Sequence, residues 1–114
     1  MTADRIDVYE LNRTLEVWRA GLVDDGQGGQ DEVRASTGTV RGKVNEPSAE
    51  ERIEAQRSGV ELTHSIHLLP DADVQRMDEL RGDGEVFLVR STGWPSTRVY
   101  LRAQCTRDQS EQGS

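Results

Sequence analysis

Between residues 60 and 69, Val60, Leu62, Ile66 and Leu68 alternate with Glu61, Thr63, Ser65 and His67. A period of two marks a β-strand with one face buried and one face wet. The exception is His64, which falls in the apolar phase. An imidazole among core positions needs a hydrogen-bond partner, supplied either within its own subunit or across a contact with another. A strand that commits this firmly to one face requires a sheet around it, and the rest of the chain offers one.

Residues 13–19 alternate and read as a first strand, with Leu15 and Val17 on one face and Trp18 on the other. Residues 21–31 are dense in glycine and aspartate and read as a flexible connection. Residues 32–44 hold two strand-like pieces. Val33, Ala35 and Thr37 share one parity and Val40, Gly42 and Val44 the other, so a bulge or tight turn is expected near Gly38. Pro47 closes that strand. Ser48-Ala49-Glu50-Glu51 is a capping box, in which Ser48 and Glu51 satisfy each other's backbone amides. The helix it opens should reach Arg57 or Ser58 and stop at Gly59. Its apolar content is thin (Ala49, Ile53 and Ala55), and a helix of about ten residues is marginal without a packed face. It is therefore pinned by Ile53 or left to be ordered by another subunit. Further on, residues 70–73 make a turn and 75–81 a short strand with Met77 inward. Gly82-Asp83-Gly84 signals a hairpin. Residues 85–90 form the most apolar strand, and Trp94 lies on a loop. Residues 98–105 alternate, with Val99, Leu101, Ala103 and Cys105 inward. The stretch 4–11 is an arm or a helical turn, and 106–114 is a polar, disordered tail. The expected architecture is a single mainly β domain over 1–105. It is a small antiparallel barrel of about six strands, with one short helix inserted in a long inter-strand loop at 45–59.

Composition narrows the function classes. The 114-residue chain is 33% hydrophobic and 4% aromatic, so its core is small and a partner or oligomer is expected to add stability. With 21 acidic and 14 basic residues, the net charge is −7, which argues against a surface built to neutralise phosphates. It is compatible with a wall that repels passing DNA. There is no apolar run long enough to span a membrane and no signal-peptide pattern, so no membrane role is expected. One cysteine, Cys105, excludes an internal disulfide. His64 and His67 are three apart and point to opposite faces of a regular strand, so no metal site is assigned. Cys105 at an inward position behaves as a small apolar residue, and no base or oxyanion motif accompanies it, so no catalytic residue and no cofactor are assigned. The aspartates at 71, 73 and 78 lack a calcium-loop pattern. The glycines at 26–29 lack the lysine of a phosphate loop. Arg81-Gly82-Asp83 falls where a hairpin turn is needed. Trp18 and Trp94, exposed by phase or on a loop, are candidate interface anchors.

The order of these elements resembles the phage head–tail joining family, also called head-closure, adaptor or stopper proteins. The resemblance runs through the strand at 13–19 and the Gly28-Gly29 turn. It continues in Thr39-Val40-Arg41-Gly42-Lys43-Val44, Pro47-Ser48-Ala49-Glu50-Glu51, Ala55-Gln56, and Leu62-Thr63-His64-Ser65-Ile66. It ends with Met77 before a glycine hairpin and Val86-Phe87-Leu88-Val89, and covers about residues 8–105. It implies a virion neck component, made in the host cytoplasm and not an enzyme. Such a protein forms a homo-oligomeric ring, six- or twelve-fold, between a portal or connector ring above and a tail terminator or completion protein below. Genome DNA passes through the lumen without sequence-specific binding. By the same resemblance, residues 45–59 form a lumen plug, with Glu46, Ser48, Glu50, Glu51, Arg52, Ile53, Glu54 and Arg57 as its working residues. Trp18, His64 and Trp94 serve as interface or structural positions. The competing readings are another neck ring, such as a tail terminator, and an unrelated small-barrel binding module. An oligonucleotide-binding barrel is disfavoured by the shortage of basic and stacking residues.

Overall fold

In the computed structural model the protein is described over residues 11–108. Six strands and one helix follow in the order β1 (Arg13–Asp24), β2 (Gln30–Asn45), α1 (Ala49–Arg57), β3 (His64–Leu68), β4 (Glu79–Gly82), β5 (Glu85–Gly93) and β6 (Leu101–Arg107). All pairings are antiparallel, and the strands close into a barrel in the order β1-β2-β3-β6-β5-β4. Among the described residues the chain forms the expected six-stranded barrel with a single short helix. The stretch 4–10 and the tail beyond 108 lie outside the described residues.

Period two builds the core. Leu15 and Val17 of β1, Ile66 and Leu68 of β3, Leu80 of β4, Phe87 and Val89 of β5, and Leu101, Ala103 and Cys105 of β6 form one buried cluster. Closure leaves no free edge on the short strands. Gly42 and Gly82 sit where the wall is tightest. A methyl on Gly82 would meet Leu15 Cδ2 at 2.9 Å and the Thr14 carbonyl at 3.0 Å. The β4–β5 turn is made by Asp83 and Gly84, both with positive φ, the pattern of a type I′ hairpin turn that matches strand twist.

Four expectations are corrected. First, residues 21–31 are not a flexible connection. β1 continues to Asp24 and β2 starts at Gln30, with paired register from Gly21↔Val33 to Asp24↔Gln30. Only the tip is turn, and aspartate and glycine build it. Asp25 Oδ1 accepts from the Gln27 and Gly29 amides at 2.8 and 3.1 Å, and Gly26 and Gly28 take positive φ. Second, residues 75–78 are a turn, not a strand, and Met77 is exposed with φ 77°. The inward residue of β4 is Leu80. Asp78 holds the turn by accepting from the Gln75 amide at 2.9 Å. Third, β3 begins at His64, four residues later than the alternation. Thr63 instead bonds across to β6 through its amide, to Cys105 O at 3.0 Å. Fourth, the last strand extends past residue 105. The Arg107 amide donates to Thr63 Oγ1 at 2.6 Å, and Thr106 Oγ1 donates to Glu61 O at 2.6 Å. The bulge anticipated near Gly38 is present. The register slips between Val17↔Gly38 and Trp18↔Ser36, leaving Thr37 as the extra residue.

Candidate functional site

Two appendages leave the barrel, and both are polar where a packed element would be apolar. One is the segment between β2 and β3. Its helix has the complete capping box: Glu51 N donates to Ser48 Oγ at 3.1 Å, and Ser48 N donates to Glu51 Oε1 at 2.8 Å. Gly59, with φ 76°, terminates it, and the Gly59 and Val60 amides return to the carbonyls of Gln56 and Ala55. No helix residue is buried, and Ile53 is 54% exposed. Ile53 is therefore not what pins the helix. Glu51 is. Its second oxygen, Oε2, accepts from Gln104 Nε2 at 3.2 Å and lies 3.4 Å from Arg102 Nε, both on the outer face of β6. Burial pushes the Glu51 carboxyl upward. The bonds from Ser48 and Gln104 and the charge of Arg102 outweigh it and hold the group below its ordinary value. Beneath, on the same outer face, Ser65 is buried, and its Oγ meets no hydrogen-bond partner among the described residues. Of the other residues assigned to this segment, Glu46, Glu50, Arg52 and Glu54 are exposed, and Arg57 pairs with Glu54 at 3.2 Å one turn away.

The second appendage, which the sequence reading passed over as a linker, is the β1–β2 hairpin beyond the barrel. Every residue from Gly21 to Val33 is exposed. The molecule consequently measures 59 Å along its long axis against 31 and 28 Å across. Two arginines brace the root of this arm on opposite faces. Arg19 donates from Nε and Nη2 to Asp78 at 3.0 and 2.9 Å and from Nη2 to Asp73 at 3.2 Å. These bonds raise its already high pKa. Arg34 donates to the Met77 carbonyl at 3.0 Å and lies 3.4 Å from Glu79 Oε2. Trp18 belongs to the same root. It faces outward with Arg81 stacked 4.2 Å over its ring, and its Nε1 donates to Glu16 at 3.3 Å. The legible signal was the apolar residues Leu22, Val23 and Val33 flanking the glycine-rich stretch, with Val33 paired to Gly21 and Leu22 and Val23 to Glu32 and Asp31. The density of glycine and aspartate masked it.

His64 faces the barrel end, its ring edge-on to Phe87 at 5.0 Å, and Nδ1 is 3.0 Å from Thr63 Oγ1. Nδ1 thus has a hydrogen-bond neighbour within its own subunit. Burial lowers its pKa; Glu85 opposes that shift and Arg107 reinforces it. His67 points outward and stacks on Tyr100 at 4.4 Å. Burial lowers its pKa too, followed by the charge of Arg102. The two rings therefore lie on opposite faces, and among the described residues no group of three potential metal ligands forms. Burial pushes the Cys105 thiol up to about 12, which keeps it protonated and unreactive. Trp94 is exposed, donates to the Pro70 carbonyl at 2.9 Å and carries Arg98 over its ring. The structure does not bring Trp18, His64 and Trp94 together.

A family model described as phage head completion protein matches residues 6–108, the whole barrel and both appendages. The chain belongs to the phage head completion protein family. Its role is in completing the phage head, as a virion component working with other head or tail proteins. The solution structure of protein SF1141 from Shigella flexneri 2a is similar in fold to this head completion protein. The TM-score is 0.71 at 16% identity, over 96% of this chain and 100% of that one. Comparison with curated proteins finds no match.

Proposed function

We propose that this head completion protein is a ring-forming head-closure, or stopper, protein. It joins the DNA-filled head to the tail in the virion neck, and its 45–59 segment guards the lumen. The observation that carries this reading is the state of α1. It is a fully capped helix with no buried residue, tied to β6 by the Glu51 carboxylate. A helix capped at both ends but not packed has its partner elsewhere. Repeated around a ring, Glu46, Glu50 and Glu54 set acidic groups toward passing DNA, which repel its phosphates and let it slide. Closure and opening would be a hinge change of this segment about the Glu51 tether, with no covalent chemistry. Portal-side and tail-side rings are the expected neighbours.

The test replaces residues 46–59 by a short Gly/Ser linker in phage that depend on this gene. The barrel should remain folded by circular dichroism and thermal melting, while the heads lose DNA and fail to carry tails. Full heads with normal tails in that variant would remove the plug assignment.

A further inference from the structure

The arm is an anomaly in an otherwise closed barrel. Past the barrel rim, β1 from Arg19 pairs only with β2, and β2 up to Arg41 pairs only with β1. A lone two-stranded ribbon is marginal in water, and its outer edges present unpaired amides and carbonyls. Leu22 is 65% exposed, and Val23 and Val33 are exposed as well. Residues directly opposite share a face, so Leu22 and Glu32 lie on one side of the ribbon and Val23 and Asp31 on the other. Each face thus mixes an apolar side chain with an acid. Between Ala20 and Val33 the chain has four acids (Asp24, Asp25, Asp31 and Glu32) and no base. Such a ribbon fits a groove with apolar walls and a positive rim.

The same chain has such a groove. A cleft of about 410 Å³ lies beside the C-terminal end of α1, with Val60 and Leu62 as apolar lining and Gln104 of β6 at its floor. Arg76 and Arg90 line it, and neither has an ion-pair partner among the described residues. Glu54 also lines the cleft, in a solvent-exposed pair with Arg57 at 3.2 Å. With two guanidinium groups in the lining against the single carboxylate of Glu54, the cleft has positive charge left for an acid from outside. In the closed strand order the β6–β5 pair lies half-way round the barrel from β1–β2. Arg76 belongs to the 75–78 turn beside the arm's root, whereas Arg90 and Gln104 lie on the β5–β6 pair. Arm and groove are different surfaces of one chain, so a contact between them joins copies head to tail, and it makes a ring where the rotation between copies closes.

We infer that the acidic arm of one copy docks into the Arg76/Arg90 groove of the next, and that this arm-in-groove contact is what links the subunits of the ring. The inference rests on the ring reading above and names its contact. The two fail separately, because the contact is read by cross-linking of purified protein and the closure role by DNA retention.

The experiment uses the full chain with one cysteine on the arm, Gln30→Cys, or one beside the groove, Ser58→Cys. Native Cys105 is buried and does not compete. With a short bis-maleimide at high protein concentration, mixing the two single variants should give a dimer. The double variant should give a ladder of dimers and higher species. Adding Asp31→Lys/Glu32→Lys, neither of which caps the arm's turn, should reduce the ladder at least tenfold. Arg76→Glu/Arg90→Glu should do the same, and the four changes together should restore it. Dimers from Gln30→Cys alone would mean an arm–arm contact and overturn the inference. So would the absence of any cross-link in the mixture, a cross-link of the arm only to another neck protein in assembled particles, or charge reversals that do not rescue each other.

Discussion

Arg19 shows how one side chain decides whether the arm has a fixed direction. It follows Leu15 and Val17 in the inward phase, so its stem leaves the barrel mouth beside the core and its guanidinium meets Asp78. The Asp78 side chain is only 3% exposed, and its two oxygens take both nitrogens of the Arg19 fork. A forked pair of this kind is directional as well as attractive. Truncating Arg19 to alanine leaves Asp78 buried with the Gln75 amide as its remaining partner. Denaturant unfolding of Arg19→Ala should show a loss on the order of 2 kcal/mol, below the full cost of breaking a buried pair because Arg19 is partly solvated. Arg19→Lys should fall between, since it keeps the charge and loses the fork. A loss within experimental error in Arg19→Ala would mean that Arg34 alone braces the root.

Among the elements, α1 differs from the strands in what holds it. The strands are fixed by ladder bonds and a common core, the helix by its own caps and the Glu51 tether. Glu51→Ala removes half of the capping box and both contacts to β6 together. Amide hydrogen exchange across residues 49–57 should then approach that of an unprotected segment, while β3, β5 and β6 keep their protection. Global stability should fall by only about 1 kcal/mol, the usual cost of a lost cap. Unchanged protection in the helix would show that the tether is not what holds it down.

Across the whole molecule, acid should act through the histidines before it acts through the carboxylates. Burial lowers both imidazoles in the folded chain from the ordinary value near 6.5. Below that value the unfolded chain binds more protons than the folded one, so stability falls as pH drops. The histidine contribution is complete above 6.5 and is lost on the way down through the folded values. Glu51, held low, is lost in the same direction but below its ordinary 4.5. Urea midpoints measured between pH 8 and pH 5 should decline, and a His64→Gln/His67→Gln variant should be flat over that window. A midpoint that rises on acidification would overturn the assignment of burial as the dominant cause.

The features legible in the sequence are those set by neighbours along the chain. Alternation at Leu15, Val17, Ile66, Leu68, Leu101 and Ala103 specifies strands with one buried face. Six such strands need a closed sheet to bury that face without leaving open edges. The capping box at Ser48 and Glu51, the stop at Gly59 and the slip near Gly38 are local chemistry and were readable as such. What only the tertiary structure decided depends on residues far apart in sequence. Glu51 reaches Gln104 and Arg102 only once β6 lies under the helix. Met77 turns outward because its amide is called to Val89 O at 2.8 Å, a bond that forces a positive φ on a residue whose sequence neighbours suggest strand. Residues 21–31 misled because their glycines and aspartates, which need only five residues of turn, hid the cross-strand pairing of Leu22 and Val23. That pairing exists only when β2 folds back, and no periodicity within one strand can announce its partner.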